Sequence, residues 1–372
     1  MLAILAAIAL TTSTLCQAVD APVDSLVTER RLIGCGENFP DNLLWHLDRA
    51  DSIDGTLDTK VTRSYTGRGA VIYLIDTGVM AAHDEFTRAT GSNDIGGLQF
   101  STLPSCPNEA TSPCWQGGSM LMIYSHGSGV ASVAAGRTVG IAPDAMIVSA
   151  MNTSESAPFR SMLLRIIEHA FAPSTPSFRT AIINISASLP ANTNDAALDA
   201  LLQRMTTGVD ANGNADPDGK RFLIVAAAGN KYEDTRIHQC GANDAVAIYP
   251  AVIGKSIDGI VSVGGITREN HYWEGACKGD GVEVAAPAPE MFVASIGSHD
   301  TYRYKPEFGV SGTSWAAPYV SGIAALQLER NPNLTPQQLE SLLKSSPSRA
   351  DGVPVPIMPT PEMYRKRRSV RH

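Results

Sequence analysis

Five short apolar, β-branched runs constrain the fold most: "AVIYLID" (70–76), "AMIVSAM" (145–151), "TAIINIS" (180–186), "RFLIVAAA" (221–228) and "GIVSVGG" (259–265). A sheet wetted on one face would alternate apolar and polar residues, and these runs do not. Helical patterns lie between them, at "HGSGVASVAAG" (126–136), "FRSMLLRIIEHAF" (159–171) and "DAALDALLQRM" (195–205). Buried strands separated by helices predict a three-layer α/β domain, with a mostly parallel β-sheet and helices on both faces. Sites in such folds sit at the carboxyl ends of the strands.

The rest of the 372 residues narrows the function classes. A net charge of −8 removes the basic face that a nucleic-acid partner requires. The N-terminal "MLAILAAIALTTSTLCQA" joins an apolar stretch too short to span a bilayer to small polar residues. It reads as a signal peptide over 1–18, which predicts a secreted chain with no membrane association after leader removal. Residues 19–40 read as a short polar segment, in which Arg30-Arg31 is either a processing site or part of an exposed linker. Residues 41–345 read as the domain, and 346–372, rich in Pro and ending in "YRKRRSVRH", as a solvated tail.

Secretion permits disulfides. Cys106 and Cys114 bracket the loop "CPNEATSPC" and form one candidate pair, Cys240 and Cys277 a second, with Cys35 left over. No CxxC pair occurs and the histidines lack zinc spacing, so no metal ligand is assigned. The acidic stretch "DANGNADPDG" (210–219) lacks the glycine and final glutamate of an EF-hand and reads as a surface loop. Asn152 and Asn333 sit in glycosylation tripeptides; Asn184 does too, but in a predicted buried strand.

Four polar residues stand where apolar strands or helices meet turns. Asp76 ends "VIYLID" before Thr77-Gly78, where it is either an Asx-type turn former or a carboxylate aimed at the site end of the sheet. His126 opens the first turn of a small-residue helix, and Asn230 follows "IVAAAG". Ser314 lies at the junction of a glycine-rich turn and an apolar helix in "GVSGTSWAAPYVSGIAALQL" (309–328), as a helix cap or as a nucleophile. Taken singly, each has a structural explanation.

Taken together and in order, "WHLDRAD", "DTG", "HGSG", "AAGN" and "GTSWAAP" resemble the subtilisin-like serine peptidases (subtilases) across about residues 41–345. The resemblance implies a secreted serine endopeptidase acting on proteins or peptides and needing no cofactor for its chemistry; separately, a monomer is expected. It implies an Asp76–His126–Ser314 triad. The Asn230 amide and the Ser314 backbone N–H would form an oxyanion hole, and Ser186, Ala187 and Ser188 one wall of the substrate groove. His83, in "AAHDEF", resembles a structural residue of the family. Calcium is common among subtilases, but no site for it is assignable here.

Three departures stand out. "HGSG" replaces the commoner HGTH, Trp315 follows Ser314 where Met is frequent, and residues 19–40 are too few for a complete pro-domain. A catalytically idle subtilase-like binding protein and an esterase using the same triad are the rival readings. The order Asp, His, Ser and the lack of a GxSxG elbow separate the chain from α/β-hydrolases.

Overall fold

A computed structural model describes residues 20–24, 27–31, 42–86, 95–98, 118–151, 156–172, 175, 177–187, 195–209, 214–215, 219–231, 239–295, 302–303 and 311–360. Three strands, β1 (Asp20–Asp24), β2 (Val27–Arg31) and β3 (Lys60–Arg63), form an antiparallel sheet beside helix α1 (Trp45–Asp51). The main sheet begins with β4 (Val71–Asp76), followed by β5 (Ile95–Leu98), helix α2 (Gly118–Ala135), β6 (Met146–Met151), α3 (Ser156–Phe171), β7 (Thr180–Ile185), α4 (Ala196–Thr207), β8 (Arg221–Ala227), β9 (Ile260–Ile266) and β10 (Val284–Pro287). A short pair, β11 (Val293–Ala294) and β12 (Tyr302–Arg303), precedes helices α5 (Thr313–Arg330) and α6 (Pro336–Lys344), and β13 (Arg349–Ala350) with β14 (Val353–Pro354) follows them.

Seven strands in the order β10-β9-β8-β7-β4-β6-β5 make the main sheet, and every neighbouring pair is parallel. All five runs named from sequence are central strands of it. Their lack of alternation has a direct cause, because both faces are covered. On β4, Ile72 and Leu74 pack with α2, α5 and α6, whereas Val71, Tyr73 and Ile75 pack with α3 and α4. On β8, Leu223 and Val225 divide in the same way from Phe222 and Ile224. The three layers are those expected. Because β5 and β6 lie on one side of β4 and β7 to β10 on the other, crossovers diverge at the carboxyl end of β4, where such sheets leave a crevice.

Three boundaries differ from the sequence reading. Residues 20–24 and 27–31 are paired strands rather than a linker, and β2 holds Arg30 opposite Val61 and Arg31 opposite Lys60. Residues 346–359 belong to the folded body rather than to a tail: Val355, Ile357 and Met358 are buried, and the Met358 N–H donates to the Ala50 carbonyl at 2.6 Å. Proline content there reflects a close-fitting strap. Finally, α2 starts at residue 118, so His126 sits in mid-helix and not in a first turn.

The corner built by α1 is dense in buried charge. The Arg49 guanidinium donates to Asn270 Oδ1 at 2.9 and 3.2 Å, to the Ser52 carbonyl at 2.9 Å and to Ser348 Oγ at 2.8 Å. Asp48 accepts the Asp58 and Thr59 backbone N–H groups at 3.1 and 2.8 Å, and the Asn42 amide. Burial pushes the Asp51 carboxyl up to about 7 and the His46 imidazole down to about 4.

Candidate active site

Asp76 is the last residue of β4, 1 % exposed, and its Oδ1 accepts the Thr77 N–H at 2.7 Å. The same carboxylate faces His126, whose Nδ1 lies 2.8 Å from Oδ1 and 3.0 Å from Oδ2. A carboxylate can only accept, so Nδ1 carries a proton, and in the neutral ring Nε2 is the unprotonated nitrogen. The His126 side chain is 34 % exposed, so its outer edge meets the crevice.

The turn after β4 and helix α2 interlock residue by residue. The Gly127 N–H donates to Thr77 Oγ1 at 3.1 Å, and the Met80 N–H to Ser128 Oγ at 2.8 Å. A Cβ on Gly127 would lie 2.2 Å from the Gly78 carbonyl oxygen, so only glycine lets the helix backbone approach this turn. The motifs "DTG" and "HGSG" are thus two halves of one contact that sets the Asp76–His126 distance.

Ser314 is the second residue of α5. The cap position belongs to Gly312, and no side chain caps this helix. The cap alternative for Ser314 is therefore excluded by position. Its hydroxyl donates instead to the Ser186 carbonyl at 3.2 Å, while Ser186 Oγ donates to the Ser314 carbonyl at 2.8 Å. That second bond has a cause in sequence. Pro318 stands four residues after Ser314 and has no N–H, so the Ser314 carbonyl lacks its normal helical donor and the β7 terminus supplies one. Trp315, 5 % exposed, places its ring 5.1 Å from that of His126 at an interplanar angle of 42°.

Asn230 follows β8, buried between the sheet and α5. Its Oδ1 accepts the Thr313 N–H at 2.8 Å and the Thr313 hydroxyl at 3.1 Å; its Nδ2 donates to Gln239 Oε1 at 3.2 Å. Cys240 and Cys277 are disulfide-bonded, as the second candidate pair anticipated. Cys35, Cys106, Cys114, Asn152 and Ser188 lie outside the described residues, as does most of 210–219.

The carboxyl ends of β4, β7 and β8, mid-α2 and the first turn of α5 thus bring Asp76, His126, Ser186, Asn230 and Ser314 to the same end of the sheet. His83 stays apart: it is fully buried, and its Nδ1 accepts the Glu85 N–H at 3.1 Å. Thr313 and Gln239 were not singled out from sequence, and Asn184 was noted only for its glycosylation tripeptide in a buried strand. Asn184 ties β7 to α5 by donating to Ser186 Oγ at 3.0 Å and accepting from Ser321 Oγ at 3.0 Å. A polar residue inside the otherwise apolar "TAIINIS" was the available signal for it. Among the described residues, no group of three or more His, Cys, Asp or Glu side chains converges on a metal position. No described helix is long and apolar enough to cross a membrane.

Comparison with known proteins supplies an independent line. Alkaline serine exoprotease A of Vibrio alginolyticus is 28 % identical over 310 residues, 82 % of this chain and 47 % of that protein. Subtilisin-like protease 3 of Pseudogymnoascus destructans is 30 % identical over 308 residues, 81 % of this chain and 63 % of its own length. Extracellular serine proteinase of a Thermus strain is 28 % identical over 305 residues, 80 % and 60 % respectively. This chain therefore spans less than two thirds of each of these relatives. The crystal structure of a cold adapted subtilisin-like serine proteinase shares the fold, with a TM-score of 0.61 and 22 % identity over 85 % of this chain and 98 % of that one. The family model described as the subtilase family matches residues 67–355, well over half the chain, and the chain belongs to that family.

Proposed function

We propose that the chain is a secreted serine endopeptidase that cleaves protein substrates through an acyl-enzyme. The observation that carries this reading is the Asp76–His126 pair, held at 2.8 Å with the His126 ring 5.1 Å from that of Trp315, the residue after Ser314 in the first turn of α5. Asp76 fixes the tautomer in which His126 Nε2 is a base, and it stabilises the imidazolium that forms on proton transfer. Ser314 Oγ is the nucleophile. Its resting hydrogen bond to the Ser186 carbonyl, at 3.2 Å, is long for a hydroxyl donor, so giving it up for His126 costs little. As Oγ adds to the scissile carbonyl, the proton passes to His126 and then to the departing amine; water reverses the sequence to free the acid.

The developing oxyanion would be held by the Ser314 backbone N–H, at the positive end of α5, and by an Asn230 amide N–H. An extended peptide would lie along the backbone after β7, at Ser186, Ala187 and Ser188, as an added strand. No cofactor enters the chemistry, and the substrate partner is protein or peptide.

The test is fluorophosphonate labelling of the secreted protein, with casein hydrolysis in parallel, for wild type and Ser314→Ala. Labelling and hydrolysis present in the wild type and lost together in the variant are the expected result. A folded wild type that neither labels nor cleaves sinks the reading in favour of an idle binding fold; cleavage of esters with no cleavage of casein favours the esterase.

A further inference from the structure

An asparagine amide serves an oxyanion only with its nitrogen turned toward it; rotated by a half turn about χ2, it presents a carbonyl oxygen and repels the charge. Two sets of contacts decide which way Asn230 faces. On one side the Thr313 backbone N–H, 2.8 Å away, can only donate and so demands Oδ1 there; the Thr313 hydroxyl, which accepts the Gly229 N–H, donates to the same Oδ1 at 3.1 Å. On the other, Gln239 Oε1 offers an acceptor 3.2 Å from Nδ2, and so demands an N–H. The flipped rotamer would set oxygen against oxygen and N–H against N–H. Of the two hydrogens on Nδ2, Gln239 engages one and the second is directed elsewhere.

Gln239 is itself held in place. Its Oε1 also accepts the Asn230 backbone N–H at 2.9 Å, and its own backbone N–H donates to the Asn230 carbonyl at 3.2 Å. The next residue, Cys240, is bonded to Cys277, whose N–H donates to the Gly229 carbonyl at 3.0 Å. A Cβ on Gly229, where φ is +102°, would lie 2.9 Å from Cys277 Sγ, so the end of β8 rests directly on the disulfide. The Asn230 backbone is thus held by Gln239, one residue from the bridge.

We propose that Gln239 is a positioning residue that locks the Asn230 amide with its N–H toward the reacting carbonyl, and that the Cys240–Cys277 bridge anchors it there. The proposal rests on the serine-peptidase reading above. The interaction acts on the transition state, because the charge that Asn230 meets exists only once Ser314 has added. Removing the Gln239 acceptor should therefore lower kcat and leave KM nearly unchanged.

The experiment is a double-mutant cycle with a peptide anilide substrate, using Gln239→Met, which keeps the length and removes the acceptor, and Asn230→Ala. Gln239→Met is expected to lower kcat about tenfold, less than the roughly 100- to 1,000-fold expected of Asn230→Ala, with KM within about twofold. In the Asn230→Ala background the same change should alter kcat by less than about twofold. Should Gln239→Met not fold, Gln239→Leu removes the same acceptor and takes its place in the cycle. An active wild type in which the two losses multiply, or in which Gln239→Met leaves kcat unchanged, overturns the role of Gln239 and leaves the peptidase reading standing. An inactive, unlabelled wild type overturns the peptidase reading itself.

Discussion

Two regions of this molecule concentrate polar groups in an apolar body: the crevice around His126 and the corner around α1. They look alike by burial. In the corner, though, most of the hydrogen bonds run between its own groups: Arg49 binds Asn270, Ser52 and Ser348, and Asp48 takes two backbone N–H groups and the Asn42 amide, while Asn42 Oδ1 and His46 Nδ1 are buried without a partner among the described residues. In the crevice the chain ends in groups poised at a surface, with His126 one-third exposed. Perturbed titration, often used as a pointer to function, is found in this corner. Asp51 at about 7 and His46 at about 4 are shifted by burial and lie in a clasp joining α1 to β3 and to residues 346–358. A displaced pKa locates a desolvated group, and the geometry around it decides whether that group can act.

The contrast can be tested most severely by Ser314→Ala. Peptide hydrolysis should fall by roughly a million-fold, the loss that removing the nucleophile causes in subtilisin itself, with little change in the urea midpoint. Next comes the corner: Arg49→Met leaves three acceptors without their donor and should lower unfolding free energy by about 3 kcal/mol in urea titration. The kcat of the remaining folded enzyme should be unaltered, and a large kcat loss would erase the distinction between the regions. Gly127→Ala probes the crevice without removing a chemical group. Its methyl must displace the Gly78 carbonyl, and loosening the Asp76–His126 contact should reduce kcat by about 100-fold.

The smallest effect concerns pH. The folded pKa of Asp51 stands above its ordinary 3.8, so folding favours the neutral acid; its stabilisation is complete below that value and is lost as pH rises through about 7. Asp51→Asn removes this dependence and should gain about 2 kcal/mol over wild type between pH 5 and pH 8, read from denaturant titrations at the two pH values. His46 has the opposite sign, with its stabilisation present above 6.5 and lost as pH falls through about 4. A flat difference between Asp51→Asn and wild type would mean that the corner is wetter than its burial suggests.

How much of this was legible beforehand follows from what each residue depends on. The strands could be read because both faces of the sheet demand apolar side chains, a requirement written locally at Val71, Ile72 and Tyr73 and repeated at β7 and β8. The gathering of Asp76, His126, Asn230 and Ser314 rested on resemblance, since nothing local brings residues 76 and 314 together. Gln239 and Thr313 were hidden because their role is a hydrogen bond to another side chain, and no spacing rule reports one. The start of α2 and the strap at 346–359 were misjudged for a related reason. Helix α2 extends back through "GSMLMIYS", which carries no start signal, and the prolines of "VPVPIMP" suggest a loop while their flat rings fit a close-packed surface.

Helix α5, covered on nearly all sides and packed against β7 through β10 and α2, has a consequence in time as well as in space. It is made after all seven strands of the main sheet. A nascent chain stopped just before residue 313 has the whole sheet but leaves one of its oily faces with α2 as its helical cover, and it has no nucleophile. Arrival of α5 covers much of that face and delivers Ser314 in the same event. On the proposed reading, a molecule stopped before α5 cannot cut itself or its neighbours during synthesis, because the blade comes with the wall.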